Sequence, residues 1–331
     1  MIENRINCVA EIVQRLATSE EEYWEKAIRQ SCIDNPWFTD ENIRHAMSAH
    51  AQQLTPQMLQ HCLANYSFTQ NNQKTVSIIM AGNIPMVGLH DLLCVFISGH
   101  IAQVKLSSKD RFLIPIIIDL IKEADSTYAH QFKFVEKINK PFDAVIATGS
   151  NHSFSQFQTY FKGYPNLLRK SRTSVAILDG SERLDQLKAL AKDVFMYFGL
   201  GCRNVTKIFV PINYKFDNLF EAFFDYKDII NHHKYANNYD YHKAMYLLAN
   251  HSFLDNGFLL IKEDNSWHSP VSVLHYEPYE SYDEILKNID ENDSHIQCVV
   301  SSHHLPFGQA QFPKFYEFAD GVDTLSFLER I

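Results

Sequence analysis

The sequence is poor in the residues and motifs that mark several large classes of protein. Its 331 residues contain only 11 glycines and 11 prolines, too few for a collagen-like, linker-rich or largely disordered chain. Neither G-x-G-x-x-G nor G-x-x-x-x-G-K-[ST] occurs, so the two common nucleotide-binding fingerprints do not apply. The longest apolar stretch, 113–121, includes Asp119 and is much shorter than the roughly 20 residues that cross a bilayer.

Positive charge is also scarce. Lys and Arg total 30 against 39 Asp and Glu, a net charge of -9, which disfavours nucleic acid and anionic membranes as partners. The first residues contain no continuous apolar segment, so we expect no secretory signal and a cytoplasmic location. At roughly 100–200 residues per domain, the length predicts two domains.

The six cysteines show no C-x-x-C spacing, and without a secretion signal we interpret them as reduced thiols. Five lie in apolar segments and have the character of packing residues. Cys202 differs because it follows Gly199-Leu200-Gly201, between a predicted helix and a predicted strand, where a backbone turn can present a thiol. The adjacent histidine pairs at 232–233 and 303–304 are poor chelates, so we predict no metal site.

The chain changes character near residue 74. Residues 1–73 are predicted to form helices, two of which begin at the predicted N-caps Thr39 and Thr55. Short apolar strands then alternate with helices, a pattern that predicts a parallel sheet covered on both faces. The first such stretch has strands at 76–80, 103–106 and 142–147 and helices at 87–97 and 112–123, with a third helix reaching Phe161. The second has strands at 174–178, 207–210, 258–262, 271–276 and 296–300, and helices at 184–198, 218–230, 239–250 and 282–289.

Ligands of open α/β sheets bind beyond the carboxyl ends of the strands, so the turns after strands are candidate sites. Each turn alone has a structural explanation: Gly149 fits an ordinary turn, and Lys105 fits a solvated strand end. Their order and spacing, however, resemble the aldehyde dehydrogenase superfamily. The segments that carry the resemblance are Gly82-Asn83-Ile84-Pro85, Lys105-Leu106-Ser107-Ser108, Thr148-Gly149-Ser150 and Gly199-Leu200-Gly201-Cys202.

Within that superfamily, residues 81–85 and the apolar helix up to Gly99 resemble the LuxC-type fatty-acyl-CoA reductases. The resemblance covers roughly 75–305 and leaves the first helices and the segment 307–311 unexplained. It implies an α/β, aldehyde-dehydrogenase-like fold with two Rossmann-like parallel-sheet domains behind a helical N-terminal segment, 1–73. The cofactor domain would be 74–171 and the catalytic domain 172–305. The tail, 306–331, would return to the cofactor domain or lie at a subunit interface.

The resemblance also implies an activity, the reduction of a fatty acyl group, carried by CoA or by a carrier protein, to the aldehyde. Cys202 would attack the thioester as the nucleophile. The Asn83 amide and the Cys202 N–H would stabilise the oxyanion. From its sequence context alone, Asn83 could equally cap the bend at Gly82.

A cofactor site is implied for NADP(H), with NAD(H) as the alternative, CoA as co-substrate and no metal. Lys105 would contact the adenosine ribose and its phosphate. Ser108 stands where NAD-preferring members often have Glu, so the 2′-phosphate would not be repelled. Gly149 and Ser150 would bring N–H groups near the pyrophosphate. The full set of implied cofactor residues is Ile84, Pro85, Lys105, Ser107, Ser108, Gly149 and Ser150.

Three departures from the superfamily pattern keep alternatives open. Residues 168–172 contain no carboxylate where oxidising members have a general base, so we expect poor activation of water. Ser266 replaces a Glu that usually holds the nicotinamide ribose, and Phe154 replaces a Gly. The alternatives are cysteine-dependent acyl transfer or thioester hydrolysis without hydride transfer, and a non-catalytic scaffold subunit. Association into a homo-oligomer or a multi-subunit complex is also implied by the resemblance.

Overall fold

The computed structural model describes residues 2–17, 21–68 and 72–331. The chain forms two compact units, one made of residues 1–171 with 312–331 and the other of residues 172–311. The segment 306–331 is therefore divided, with 306–311 in the second unit and the remainder in the first. No helix of the described residues is long and apolar enough to cross a membrane.

The first unit begins with four helices among the described residues, and its helical start agrees with the prediction for 1–73. The side chains of Thr39 and Thr55 cap two of them by accepting hydrogen bonds from Asn42 N and Met58 N. The helices are α1 (Ile2–Ala17), α2 (Glu22–Asp34), α3 (Asp40–Gln53) and α4 (Pro56–Leu63).

A five-stranded sheet follows, with every pairing parallel and the order β3-β2-β1-β4-β5. Its strands are β1 (Thr75–Ile79), β2 (Ile101–Lys105), β3 (Phe132–Phe134), β4 (Ala144–Thr148) and β5 (Asn166–Arg169). The helices between them are α5 (Leu89–Ile97), α6 (Leu113–Ala124) and α7 (Asn151–Tyr160), with a 3-10 helix at Ser126–Gln131.

One hydrophobic core joins the first helices to this sheet. Buried residues of α1, such as Val9 and Ile12, belong to the same cluster as Val76 and Ile78 of β1. The cluster also includes residues from the end of the chain, among them Leu325. The N-terminal helices are thus an integral part of the first unit, because their apolar faces are buried against it.

The second unit contains a six-stranded sheet in the order β11-β6-β7-β10-β9-β8, parallel except for the β8–β9 pair. Its strands are β6 (Thr173–Ile177), β7 (Val205–Pro211), β8 (Leu254–Asp255), β9 (Leu260–Glu263), β10 (Val273–Tyr279) and β11 (Ile296–Val300). Its helices are α8 (Leu184–Phe195), α9 (Asp217–Phe223), α10 (His233–Leu248) and α11 (Tyr282–Glu291). Short 3-10 helices lie at Met196–Gly199, Phe224–Asn231 and Asp293–His295. In the first unit, a 3-10 helix at Ala319–Gly321 precedes α12 (Thr324–Glu329).

Several predicted helices have different bounds in the structure; the one predicted at 218–230, for example, is divided into α9 and the 3-10 helix Phe224–Asn231. Two of the differences have a visible cause. The helix predicted at 184–198 ends at Phe195, because Tyr197 and Phe198 have left-handed φ values of 53° and 59°. The helix predicted at 239–250 is α10, which begins six residues earlier, at His233, where the His232 side chain accepts a hydrogen bond from Tyr235 N. A left-handed backbone thus ends α8, and a side-chain cap begins α10.

Candidate active site

Three loops leave the same edge of the five-stranded sheet. Because β1 lies between β2 and β4 and all three strands are parallel, the loops after them emerge side by side at the carboxyl edge. The chain builds β2 and β3 on one side of β1 and then β4 and β5 on the other, so the strand order reverses here. This is where doubly wound sheets bind ligands. All seven implied cofactor residues and Asn83 lie at this edge.

The loops after β1 and β2 are in direct contact. A Cβ atom on Gly82 would lie 2.6 Å from Ser107 Oγ, so no larger residue fits there without movement. Met86, with a φ of 57°, donates its N–H to Asp110 Oδ2 at 2.8 Å. Burial raises the pKa of Asp110 to about 6, although the hydrogen bond from Met86 opposes the rise. Close packing and a buried carboxyl thus fix the two loops together.

The implied side chains at this edge differ in exposure. Asn83 and Ser108 are exposed, and Pro85 is buried, which indicates that Pro85 shapes the loop. Ser150 is exposed as well, and Ile84, Lys105 and Ser107 are half-buried. Ser107 Oγ also accepts a hydrogen bond from Lys109 N at 3.2 Å, so it stabilises the loop that carries Ser108.

The loop after β4 leads directly into a helix. Ser150 caps α7, its Oγ accepting a hydrogen bond from Ser153 N at 3.3 Å. A Cβ atom on Gly149 would lie 2.8 Å from Ser153 Cβ, so the backbone passes directly against the first turn of the helix. A helix N-terminus at this edge suits a phosphate group. Phe154, where the superfamily has a glycine, is a half-buried residue of α7.

In the second unit, Cys202 lies in a tight turn between α8 and β7, at the amino end of that strand. Asn204 N donates to Gly201 O at 3.1 Å, and Gly201 N donates to Asn204 Oδ1 at 2.8 Å. The Asn204 Nδ2 group donates to the carbonyls of Asp193 and Met196 at 3.0 and 2.8 Å. Asn204 is fully buried and Cys202 is half-buried. A buried amide therefore connects the cysteine turn to the end of α8.

The residues just before the turn have unusual backbone conformations. Tyr197, Phe198 and Gly199 have φ values of 53°, 59° and 76°. Positive φ is uncommon for bulky residues and costs free energy, so the surrounding packing must hold it. The Phe198 ring packs on His232 with centroids 4.3 Å apart, which gives one such support.

A second strand supports the Cys202 backbone. The buried Ser174 of β6 donates its Oγ–H to Cys202 O at 3.1 Å. Ser174 Oγ also lies 3.1 Å from Cys298 Sγ and accepts a hydrogen bond from Cys298 N at 3.2 Å. All six cysteines lie in the described ranges, and none of them is in a disulfide.

Sequence reasoning did not identify Asn204 and Ser174 as supporting residues. The sequence nevertheless marks both residues. Ser174 is a polar residue near the start of a mostly apolar strand. Asn204 follows Cys202 by two residues and directly precedes β7. Asn83 belongs to the first unit and Cys202 to the second.

The segment 168–172 has a structural role in the first unit. Its Arg169 is buried and donates to Asp91 Oδ1 at 2.7 Å, to Thr324 Oγ1 at 2.8 Å and to Ala319 O at 2.6 Å. Burial tends to raise the pKa of the Asp91 carboxyl, but the positive charge of Arg169 holds that pKa below its usual value. Arg169 thus ties the end of the chain to α5. Ser266, by contrast, is exposed between β9 and β10.

No three His, Cys, Asp or Glu side chains within 2–17, 21–68 and 72–331 are arranged to hold a metal ion.

Comparison with solved structures defines the class of fold, which is that of the aldehyde dehydrogenases. Aldehyde dehydrogenase 21 from Physcomitrella patens, solved with the reaction product succinate, has a TM-score of 0.67 at 11% identity, covering 91% of this chain and 73% of its own. Indole-3-acetaldehyde dehydrogenase AldA from P. syringae, solved with NAD+ and IAA, gives 0.68 at 13% identity, with coverages of 91% and 72%. Glyceraldehyde-3-phosphate dehydrogenase GapN from Methanocaldococcus jannaschii, complexed with NADP, gives 0.64 at 13% identity, with coverages of 91% and 76%. The predicted fold class is confirmed.

The family follows from the sequence match. The model of the family described as acyl-CoA reductase (LuxC) matches residues 1–218, which include the first helices, the whole five-stranded sheet and Cys202. The chain therefore belongs to the LuxC acyl-CoA reductase family and is an oxidoreductase, as the resemblance implied. A comparison with curated proteins gives no match.

Proposed function

We propose that this protein reduces a fatty acyl-CoA to the aldehyde with NADPH, through an acyl-cysteine on Cys202. The observation that carries the proposal is the turn around Cys202. It presents a half-buried thiol within the part of the chain that matches the acyl-CoA reductase family. The buried Asn204 and Ser174 fix the backbone on both sides of that thiol. A nucleophile held in this way can be aimed at a carbonyl carbon.

In the proposed first step, the Cys202 sulfur, as thiolate, attacks the thioester carbonyl carbon and forms a new carbon–sulfur bond. The bond to the CoA sulfur breaks, and CoA leaves as its thiolate. The Asn83 amide and the Cys202 N–H are proposed to stabilise the oxyanion of this step. The product is an acyl-cysteine, and because residues 168–172 contain no carboxylate, its hydrolysis is expected to be slow.

The carboxyl edge of the five-stranded sheet fits a dinucleotide. It lies where the strand order reverses, it has two glycines at which a Cβ would collide with a neighbouring side chain, and a helix begins beyond β4. We assign the pyrophosphate to Gly149 and Ser150, the adenosine end to Lys105, Ser107 and Ser108, and the loop nearer the nicotinamide to Ile84 and Pro85. When bound, the cofactor supplies the hydride. Cys202 then leaves the reduced carbon as the aldehyde forms.

Intact-mass spectrometry tests the proposal. Short-, medium- and long-chain acyl-CoAs are incubated with the protein without cofactor, and one acyl group is expected on the Cys202 peptide. Adding NADPH should remove the adduct and release aldehyde. Cys202→Ala should show neither event, whereas the matched control Cys32→Ala, at another half-buried cysteine, should show both.

Other outcomes would favour the alternatives. An adduct that is released as free acid or transferred to another acceptor without NADPH would indicate hydrolysis or acyl transfer. Acyl-CoA that stays intact on the wild type would favour a scaffold role. Full reductase activity of Cys202→Ala would contradict the assignment of the nucleophile.

A further inference from the structure

The segment 307–311, which the superfamily resemblance leaves unexplained, lies against α8 in the second unit. Gly308 N and Ala310 N donate to the two oxygens of the Asp193 carboxylate, at 2.6 and 2.9 Å. Gly308 has a φ of +81°, and a Cβ atom there would lie 3.1 Å from Ala189 Cβ. The segment is therefore bound by its backbone to a fully buried carboxylate of α8.

The same segment reaches the residue next to Cys202. Arg203 Nε donates to Ala310 O at 2.5 Å. Ala310 is fully buried and Arg203 is half-buried, so the bond from Ala310 N to Asp193 is buried and the bond from Arg203 is partly buried. The Asp193 carboxylate accepts the N–H of Ala310 and Arg203 donates to its carbonyl, so this one residue connects α8 to the cysteine turn.

Asn204 provides a second connection between Asp193 and the cysteine turn. Its side chain donates to the Asp193 carbonyl and accepts the Gly201 N–H, on the opposite side of Cys202 from Arg203. Asp193 is thus joined to the turn by two routes, one from its backbone and one from its carboxylate. Cys202 lies between the two points of attachment, so its backbone cannot shift without breaking buried hydrogen bonds.

We infer that Asp193 and Arg203 are positioning residues, which act through the segment 307–311 to hold Cys202 in its reactive orientation. The catalytic meaning of this inference rests on the proposed function of Cys202. The structural part, that the two residues hold the turn, does not. Buried hydrogen bonds to charged groups are among the stronger ones in proteins, which suits this task.

The hydrogen bonds to Asp193 suit an ionised carboxylate, because each of its two oxygens accepts an N–H group, one from Gly308 and one from Ala310. Burial raises the pKa of Asp193 to about 6, and the hydrogen bonds from Gly308 and Ala310 limit the rise, as do the positive charges of Arg203 and Lys192.

Hydrogen exchange of the full-length protein measures the turn directly. In Arg203→Met, which keeps much of the aliphatic stem, amides of the peptide 199–206 should exchange about tenfold faster, as expected for loss of one hydrogen bond to a charged group. Asp193→Ala should have the same effect on that peptide, because it releases 307–311. The matched control is Asp255→Ala, which removes a carboxylate bonded to Tyr239 and Gly257 elsewhere in this unit and should leave 199–206 unchanged.

Acyl transfer to Cys202 supplies the second readout. At saturating acyl-CoA the rate of adduct formation should fall about tenfold in Arg203→Met, again the effect of one such bond. The acyl-CoA concentration that gives half the maximal rate should not change, because a purely positioning role does not alter substrate binding.

The two readouts separate two kinds of failure. Unchanged exchange at 199–206 in Arg203→Met would overturn the inference, whatever happens to acylation, and it would do so even if Asp193→Ala did not fold. Faster exchange with an unchanged acylation rate would also overturn it. If the wild type forms no adduct at all, the proposed function fails, and the exchange result alone decides whether the residues hold the turn.

Discussion

The two units place their candidate functional residues at opposite ends of their sheets and support them differently. In the first unit the residues lie on loops beyond the carboxyl edge, and most are small and at least partly exposed. In the second, Cys202 precedes β7 and is held by the buried side chains of Asn204 and Ser174. A dinucleotide is bound by many dispersed contacts, whereas a nucleophilic atom must be aimed within a fraction of an ångström. The difference in support matches the difference between the two proposed tasks.

Two buried polar contacts, one in each unit, differ in their chemistry. In the first unit the buried ion pair Arg169–Asp91 ties distant parts of the chain together. In the second unit, which also contains the buried charges of Asp193 and Lys207, the cysteine turn is held by the neutral amide of Asn204, which is fully buried and bonded to backbone groups. A charge that loses its buried partner costs more than an amide contact that is lost. Stability should therefore respond more strongly to the loss of Arg169 than to the loss of the Asn204 amide.

The largest effect is expected for Arg169→Met. This change leaves the Asp91 carboxylate buried without its partner and should cost about 3–5 kcal/mol of unfolding free energy. Urea unfolding followed by hydrogen exchange of each unit would measure it. The control Arg183→Met removes an exposed ion pair with Asp185 and should cost under about 1 kcal/mol. Equal losses in the two variants would contradict the expected contribution of the buried ion pair.

Asn204→Ala should have the next largest effect. It leaves buried carbonyl and N–H groups of α8 and the cysteine turn without partners, at a cost of about 2–3 kcal/mol in the second unit. The same unfolding measurement applies, with Asn292→Ala as the control, since that half-buried amide bonds only to Asn288. A loss no larger than the control's would show that Asn204 is not the main support of the turn.

Gly82→Ala tests the close packing of the first unit. Its Cβ would overlap Ser107, so the loops must separate, and we expect a cost of about 1–2 kcal/mol and an NADPH affinity about tenfold lower. Adding Ser107→Gly should recover much of the stability. Gly163→Ala is the control, because no atom lies within 4 Å of its Cβ position. Calorimetric titration gives the affinity; equal NADPH binding by both alanine variants would contradict the role of the contact.

The smallest effect is expected for Ser108→Glu. An added carboxylate near the proposed 2′-phosphate should weaken NADPH by about fivefold relative to NADH, corresponding to about 1 kcal/mol of repulsion in a solvated site. Titration of both cofactors measures the ratio, and Ser302→Glu, an exposed position in the second unit, adds the same charge as a control. A wild-type preference for NADH would contradict the proposed cofactor.

The sequence predicted the buried strands and the edge strand β11 well, but it missed the edge strands β3, β5 and β8. Strands β1 and β4 are mostly apolar, which indicates a strand before any partner is known. The strands β3 and β8 have only three and two residues, and β5 ends in Arg169. Such edge strands form because a neighbouring strand offers hydrogen bonds, and a local pattern does not report that.

The same limit applies to the candidate site. The turns could be located because glycine and a strand end are local signals. Two contacts near Cys202 could not be located, because their partners are distant: Asp193 and Gly308 are separated by 115 residues, and Ser174 and Cys298 by 124. The Asn204 side chain bonds to residues no more than 11 positions away, but an asparagine in a turn does not by itself indicate a buried amide. These contacts exist only once the second unit has folded.

The way the chain divides between the units sets an order of events during synthesis. The second unit is one continuous stretch, 172–311, whereas the first is completed by 312–331, which supply core residues such as Phe315, Leu325 and Leu328. Because the ribosome makes the chain from its N-terminus, every residue of the second unit is available before the first can complete its core. The part made first is thus finished after the second unit has been made, and until then the nascent chain carries an apolar surface that residues 312–331 later cover.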